Sequence, residues 1–338
     1  MSVKLGLGLP QMAQYDLTRD VAEIARTAER TGYDSLWVLE RVLVPRKPRE
    51  GLYGVPGLEW PDVYRGVADP LTVLTLAAAA TDRVRLAGSV LVSGLHAPFP
   101  LARSLATLDA ASGGRVVAGF GTGWSTDEYR AAGVTEFARR GAQLDELLDI
   151  CAAVWGPDPV AYEGSYSSIA PADVGPKPAR PIPVYLAASG GPALARVARR
   201  ADGWLPVGLT GPQLRAQLAG LRELTAAQGR DPESLGVSLR GNVRLGEPLP
   251  EEGRAPFTGS TEQIAGDVAA VAEAGAQEVL LDVQSGCRDA KELADRAEEL
   301  YSAVRAAGAC VSTRIRPSSP VPARTARRSL ITWSPARP

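Results

Sequence analysis

The sequence predicts a (β/α)8 barrel, a single domain over residues 1–310, on three observations. Short aliphatic runs of strand length alternate with amphipathic runs of helical length, as parallel βαβ units require. Eight strands are found, where a doubly wound sheet more often stops at five or six. The residues able to carry chemistry gather just after the strands, and in a barrel those positions share one face.

Residues 3–9 alternate short aliphatics with glycines and end at Pro10, as a buried first strand would. Residues 16–30 carry Val21, Ile24, Ala25 and Ala28 at helical spacing, with Thr18 as the expected N-cap. Residues 35–39 form the second strand, which ends on the charges of Glu40-Arg41. A helix over 69–80 leads to a strand over 84–92, and the helix over 98–112 closes at Gly113-Gly114. Residues 116–119 are the fourth strand. The helix over 137–155 places Leu144, Leu147, Leu148 and Ile150 in one stripe, and 160–169 reads as a hairpin turning at Glu163-Gly164. The remaining strands fall over 183–187, 201–207, 235–243 and 278–283. The helices among them end at Arg200 or span 212–228, 260–274 and 290–307.

Two segments break the alternation. Residues 42–68 are rich in Pro, Gly and charge and too long for an ordinary connection, which suits a lid whose Tyr53, Trp60 and Tyr64 would cover a substrate. Residues 311–338 lack periodicity and are dominated by Pro, Ser, Thr and Arg, so a basic, disordered tail is expected. The tail masks the charge of the body. The whole chain has 37 basic and 38 acidic residues, but six arginines lie after residue 310, leaving 31 against 38, or −7. A nucleic-acid surface is therefore not expected. Cys151, Cys287 and Cys310 are widely spaced and His96 is the sole histidine, which argues against a metal site. With no signal pattern at MSVKLGLGLP and no apolar run of spanning length, a cytoplasmic protein without a membrane partner is expected.

The strand-end residues favour a cofactor enzyme. No serine or cysteine sits in a nucleophile elbow, so triad hydrolysis is disfavoured. Gly88, Gly94, Gly119, Gly121, Gly123, Gly190 and Gly191 leave backbone open to a large flat or anionic ligand. Ala188-Ser189-Gly190-Gly191-Pro192 runs into a helix, where free amides and the helix dipole suit a phosphate. Each feature has a plainer reading. Glycines at strand ends also serve tight turns, Glu40-Arg41 reads as a strand-end ion pair, and His96 as a surface residue. Asp127 and Glu128 equally suit the first turn of a helix.

Taken together, GYDSLWVLERVLVP, the run from DPLTVLTL to TDEYRAAGV, FARRGAQLDELLDICAAVW and GPKPARPIPVYLAASGGPALARVARRADGWLPVG resemble the luciferase-like monooxygenase superfamily, in particular its actinobacterial F420-dependent oxidoreductases. The resemblance implies a (β/α)8 barrel binding F420 or a flavin at the C-terminal face. It implies a non-prolyl cis peptide at Ser89-Val90 behind the ring, contacts to the cofactor from Thr122, Gly123 and Asp127, and a phosphate loop at Ala188, Ser189, Gly190, Gly191 and Pro192. It also exposes departures. The sugar-phosphate dehydrogenase branch has Asp-His where this chain has Glu40-Arg41, and a catalytic glutamate where it has Trp124. Arg41 is no base at neutral pH but can orient an oxygen. Glu40, Asp127 and Glu128 are the candidates for moving a proton.

The expectation is thus an F420-dependent oxidoreductase passing hydride between the deazaflavin and a small organic molecule, with Glu40, Arg41, Trp124 and Glu128 at the chemistry. The alternatives are an FMN-dependent monooxygenase using oxygen and a catalytically idle flavin-binding protein. A homodimer is expected from the resemblance.

Overall fold

The computed structural model describes residues 2–134, 136–308 and 310–311. Eight parallel strands close into a barrel: β1 (Ser2–Gly8), β2 (Ser35–Val38), β3 (Arg85–Gly88), β4 (Val116–Gly121), β5 (Val184–Leu186), β6 (Gly203–Trp204), β7 (Gly236–Asn242) and β8 (Glu278–Asp282). Each pairs with the next in sequence, and β8 returns to β1 with Lys4 opposite Glu278 and Leu7 opposite Leu281. Around them lie α1 (Asp20–Thr31), α2 (Pro70–Ala80), α3 (Pro98–Ser112), α4 (Thr126–Ala131), α5 (Arg140–Trp155), α6 (Gly191–Arg200), α7 (Gly211–Ala227), α8 (Thr261–Glu273) and α9 (Ala290–Ala306). The expected barrel is therefore the observed fold, with all eight strands where the pattern put them.

The barrel has two apolar layers. Between strands and helices, residues such as Leu5, Leu7, Ile24, Leu36, Leu147 and Leu239 are wholly buried. Inside, a smaller plug of Trp37, Ala87, Val117, Leu205 and Leu280 fills the bore. Trp37 fits because position 6 is glycine, where a Cβ would stand 2.4 Å from its Nε1. Beneath the plug, at the N-terminal ends of the strands, Glu278 gathers Ser35, Ser238 at 2.7 Å and Arg85 at 2.8 Å. A buried carboxylate needs such partners, and these four side chains form the floor of the barrel.

Several local expectations are corrected. Thr18 does not cap α1. Asp16 accepts from the Thr18 amide and hydroxyl in a turn of its own, and the helix starts at Asp20 with Arg19 as an N-cap that makes no side-chain bond. The third strand is not continuous over 84–92, since β3 stops at Gly88 and a second piece, Leu91–Val92, pairs with Phe120-Gly121 beyond the cis peptide Ser89-Val90. The hairpin turns later than Glu163-Gly164. Val160–Glu163 pairs with Ser168–Ala172, and the Gly164 amide closes the loop on the Ser167 carbonyl. The 42–68 segment is irregular as expected, apart from single turns at Leu52–Gly54 and Asp62–Gly66. Cys310–Val311 adds two residues of parallel pairing to Ser2-Val3, and the rest of the expected tail lies outside the described residues. Cys151 and Cys287 are buried and unpaired. Among the described residues no helix is long and apolar enough to cross a membrane.

Candidate active site at the barrel mouth

The C-terminal ends of the strands surround a cavity of about 440 Å³. Nine of the candidate catalytic and cofactor-binding residues line it: Glu40 and Arg41 after β2, Ser89 and Val90 after β3, Thr122, Gly123 and Trp124 after β4, and Ala188 and Ser189 after β5. The wall is backbone-rich for a packing reason. A Cβ at Gly121 would stand 2.6 Å from the Val90 side chain, and one at Gly123, whose φ is +63°, 2.6 Å from Val92. Gly190 and Gly191 differ, because a Cβ there would meet nothing within 4 Å, so the backbone faces open space at the start of α6. Gly190, Gly191 and Pro192 are exposed at the rim beside Ser189 and do not line the cavity.

The two charges after β2 do not pair with each other through their side chains, which corrects the reading of a strand-end ion pair. Glu40, 4 % exposed, accepts the Val92 amide at 2.5 Å on Oε2 and meets His96 Nε2 at 2.7 Å on Oε1. Burial disfavours the imidazolium, but the hydrogen bond and charge of Glu40 outweigh it, so the His96 pKa lies above its ordinary value. Arg41 turns the other way. Its guanidinium reaches Glu128 at 2.9 Å and lies 4.9 Å from the Trp124 ring centre and 5.8 Å from that of Trp60. The contact to Glu128 is an ion pair through Nη1 that is out of line for a hydrogen bond.

Glu128 and Asp127 lie off the cavity, against expectation. Both belong to the first turn of α4, capped by the Ser125 hydroxyl. Glu128 is buried under Arg41 and accepts the Val42 amide at 3.0 Å. Burial pushes its carboxyl above the ordinary value, with Arg41 and the Val42 amide pulling the other way. Asp127 points at the lid, accepting the Arg49 amide at 3.0 Å and its guanidinium at 3.1 Å. Glu50 in the lid accepts the Thr126 amide at 3.2 Å and hydroxyl at 2.5 Å. Helix α4 thus fastens the lid. The lid aromatics pack on Trp124, with Trp60 at 4.7 Å and Tyr53 at 5.9 Å between ring centres.

Arg240 on β7 was missed. It is 9 % exposed, donates to the Ser89 carbonyl at 2.6 Å and to Asn242 at 2.9 Å, and pairs with Asp282 at the end of β8. It therefore holds the backbone at the back of the cavity from across the barrel. A second chamber of about 410 Å³ lies on its far side beneath the lid. Tyr53 and Tyr64, their hydroxyls 3.3 Å apart, stand between the two spaces and line both. An arginine in the middle of a strand-length run is the signal that could have found it, because a charge on a strand buried on both faces demands a partner.

The family model for luciferase-like monooxygenases matches residues 5–251. An uncharacterized protein of Mycobacterium tuberculosis is 37 % identical over 220 residues, 62 % of this chain and 75 % of the relative. An F420-dependent glucose-6-phosphate dehydrogenase of Kineococcus radiotolerans is 34 % identical over 232 residues, 67 % of this chain and 64 % of that one. Among solved structures, an F420-dependent secondary alcohol dehydrogenase with an F420-acetone adduct superposes with a TM-score of 0.72 at 18 % identity, over 90 % of this chain and all of that one. A long-chain alkane monooxygenase superposes with a TM-score of 0.73 at 15 % identity, over 91 % and 92 %. At these identities the structural likeness establishes the fold.

Proposed function

Because this chain belongs to the luciferase-like monooxygenase family, we propose that it is an F420-dependent oxidoreductase acting on a small alcohol or carbonyl compound. The observation that carries the reading is the pairing of a backbone-walled cavity with a carboxylate and an arginine at one edge. F420, when bound, supplies a ring carbon that accepts or gives hydride. The cavity suits it in kind. The glycine-lined wall over Ser89, Val90, Thr122 and Gly123 admits a flat ring, and Ala188 and Ser189, with the open backbone of Gly190, Gly191 and Pro192, lead to the α6 N-terminus where a phosphate is favoured.

In this reading Glu40 takes or returns the hydroxyl proton, and Arg41, which lines the same cavity, orients the same oxygen with its guanidinium. Trp124, packed against Arg41, fixes the guanidinium plane and closes one side of the site. Glu128 acts on Arg41 from behind, and Asp127 serves lid closure. The chamber behind Tyr53 and Tyr64 accommodates the part of the substrate remote from the reacting carbon. Glu40-Arg41 and Trp124, where a sugar-phosphate dehydrogenase carries Asp-His and glutamate, favour a substrate other than a sugar phosphate. We further propose a homodimer in the cytoplasm.

The direct experiment titrates the purified chain with F420 and, separately, with FMN, following cofactor fluorescence. F420 should bind in the micromolar range or tighter, and bound F420 should be reduced by a member of a panel of small primary and secondary alcohols. Tight FMN binding with no F420 binding would overturn the assignment.

A further inference from the structure

Two facts about the Glu40 carboxylate are in tension. It lines the cavity, yet its side chain is 2 % exposed and its two oxygens are held by the Val92 amide and by His96. A buried carboxyl that changes charge during a reaction needs either a compensating charge or a way to exchange protons with solvent. His96 offers both. It stands just after the Leu91–Val92 piece, presents Nε2 to Glu40 at 2.7 Å, and keeps 19 % of its side chain exposed. Ala97 and Pro98, at the start of α3, hold the chain beside it.

We infer that His96 is the positioning residue for Glu40 and that the two act as one proton-handling unit, in which His96 aims the carboxylate into the cavity and exchanges the balancing proton with solvent. This rests on the alcohol-to-carbonyl reading proposed above. In the oxidising direction the substrate O–H bond breaks, its proton forms a new O–H bond on the Glu40 oxygen facing the cavity, and the C–H electron pair leaves as hydride to the acceptor. As Glu40 loses its negative charge, His96 releases one N–H proton to water on its exposed side. The pair is an ion pair before the step and a neutral pair after it, so no uncompensated charge is left buried. Reduction runs the same exchange backwards. The charged groups around the pair are Asp69, which reinforces the imidazolium, and Arg41 and Glu128, which act on the Glu40 side with opposite signs.

His96 is the molecule's sole histidine, which makes the unit measurable without any ligand. In full-length 15N-labelled protein the imidazole gives one set of signals. Its midpoint should lie above the ordinary histidine value and fall by at least about one pH unit, a tenfold change in proton affinity, in Glu40→Gln. A midpoint at the ordinary value, or one unmoved by Glu40→Gln, overturns the pairing. The catalytic half is read on F420-loaded enzyme with a turned-over alcohol. His96→Ala should lower kcat about 100-fold with KM and F420 affinity within twofold of wild type, and added imidazole should restore part of the loss. Wild-type kcat in His96→Ala, or no imidazole rescue in a variant that still binds F420, overturns the proton role. If wild type binds F420 but turns over no alcohol, the reaction class falls, while the midpoint measurement still decides whether the two residues form a unit.

Discussion

Ser189 illustrates how much one side chain at the cavity rim can decide. It precedes α6 at a backbone turned toward open space, so Ser189→Asp sets a negative charge where a cofactor phosphate would lie and should weaken F420 binding by at least about tenfold, measured by fluorescence titration. Arg240 works by support. Arg240→Met removes the donor to the Ser89 carbonyl and strands Asp282, whose Oδ1 already lacks a partner, and should cost about 3–5 kcal/mol in chemical denaturation. His96 gives stability a pH dependence. Its folded pKa is raised, so its contribution is complete below the unfolded value and is lost as pH rises through the folded value. The unfolding free energy of wild type relative to His96→Gln should therefore decline across neutral to mildly alkaline pH. At this scale the sequence was only partly legible. Residues of the site wall follow from strand ends, but the Glu40 bond to His96 and the Arg41 pairing with Glu128 join positions 56 and 87 apart, and nothing local encodes them.

Among the elements, the lid and α4 depend on each other. Five lid-to-helix contacts fasten a segment that has only two single turns of its own. They are not equal. The Arg49 guanidinium is 55 % exposed, and a pair of that kind contributes about 0.5 kcal/mol. Glu50 receives both Thr126 donors in part-buried surroundings, and removing it leaves the first turn of α4 without that acceptor. Glu50→Ala should therefore raise amide exchange across residues 42–68 by more than Arg49→Ala does, with the barrel strands unchanged, in hydrogen-exchange mass spectrometry. Equal effects would assign the latch to Asp127 instead. Element type was readable wherever period and turn chemistry agreed, as in α3, where Pro98 opens and Gly113 closes the helix. It failed where a local polar bond intervened, as at Asp16, or where the chain broke a strand to shape the cavity wall, as after Gly88.

The whole molecule separates stability from chemistry along the barrel axis, with the Glu278 cluster as floor, the Trp37 plug between, and the cavity at the mouth. Glu278→Ala leaves a half-buried Arg85 and two buried hydroxyls without their acceptor and should lower stability by about 2 kcal/mol or more, while F420 affinity measured on the folded fraction stays within about twofold. The (β/α)8 architecture was the most legible feature, because eight repeats of one pattern outvote any single misplaced boundary. The two chambers at the mouth were not legible, since their shape depends on how a long irregular segment folds back over strands far from it in sequence.

The stacking of Trp60 from the lid on Trp124 from the barrel, at 4.7 Å and 53°, has an optical consequence. Two indoles so close and so inclined share their excited states, which gives a paired positive and negative band in far-ultraviolet circular dichroism. Either tryptophan alone gives no such couplet. The protein therefore carries its own gauge of lid position, legible in solution on the unlabelled chain and erased by Trp60→Phe.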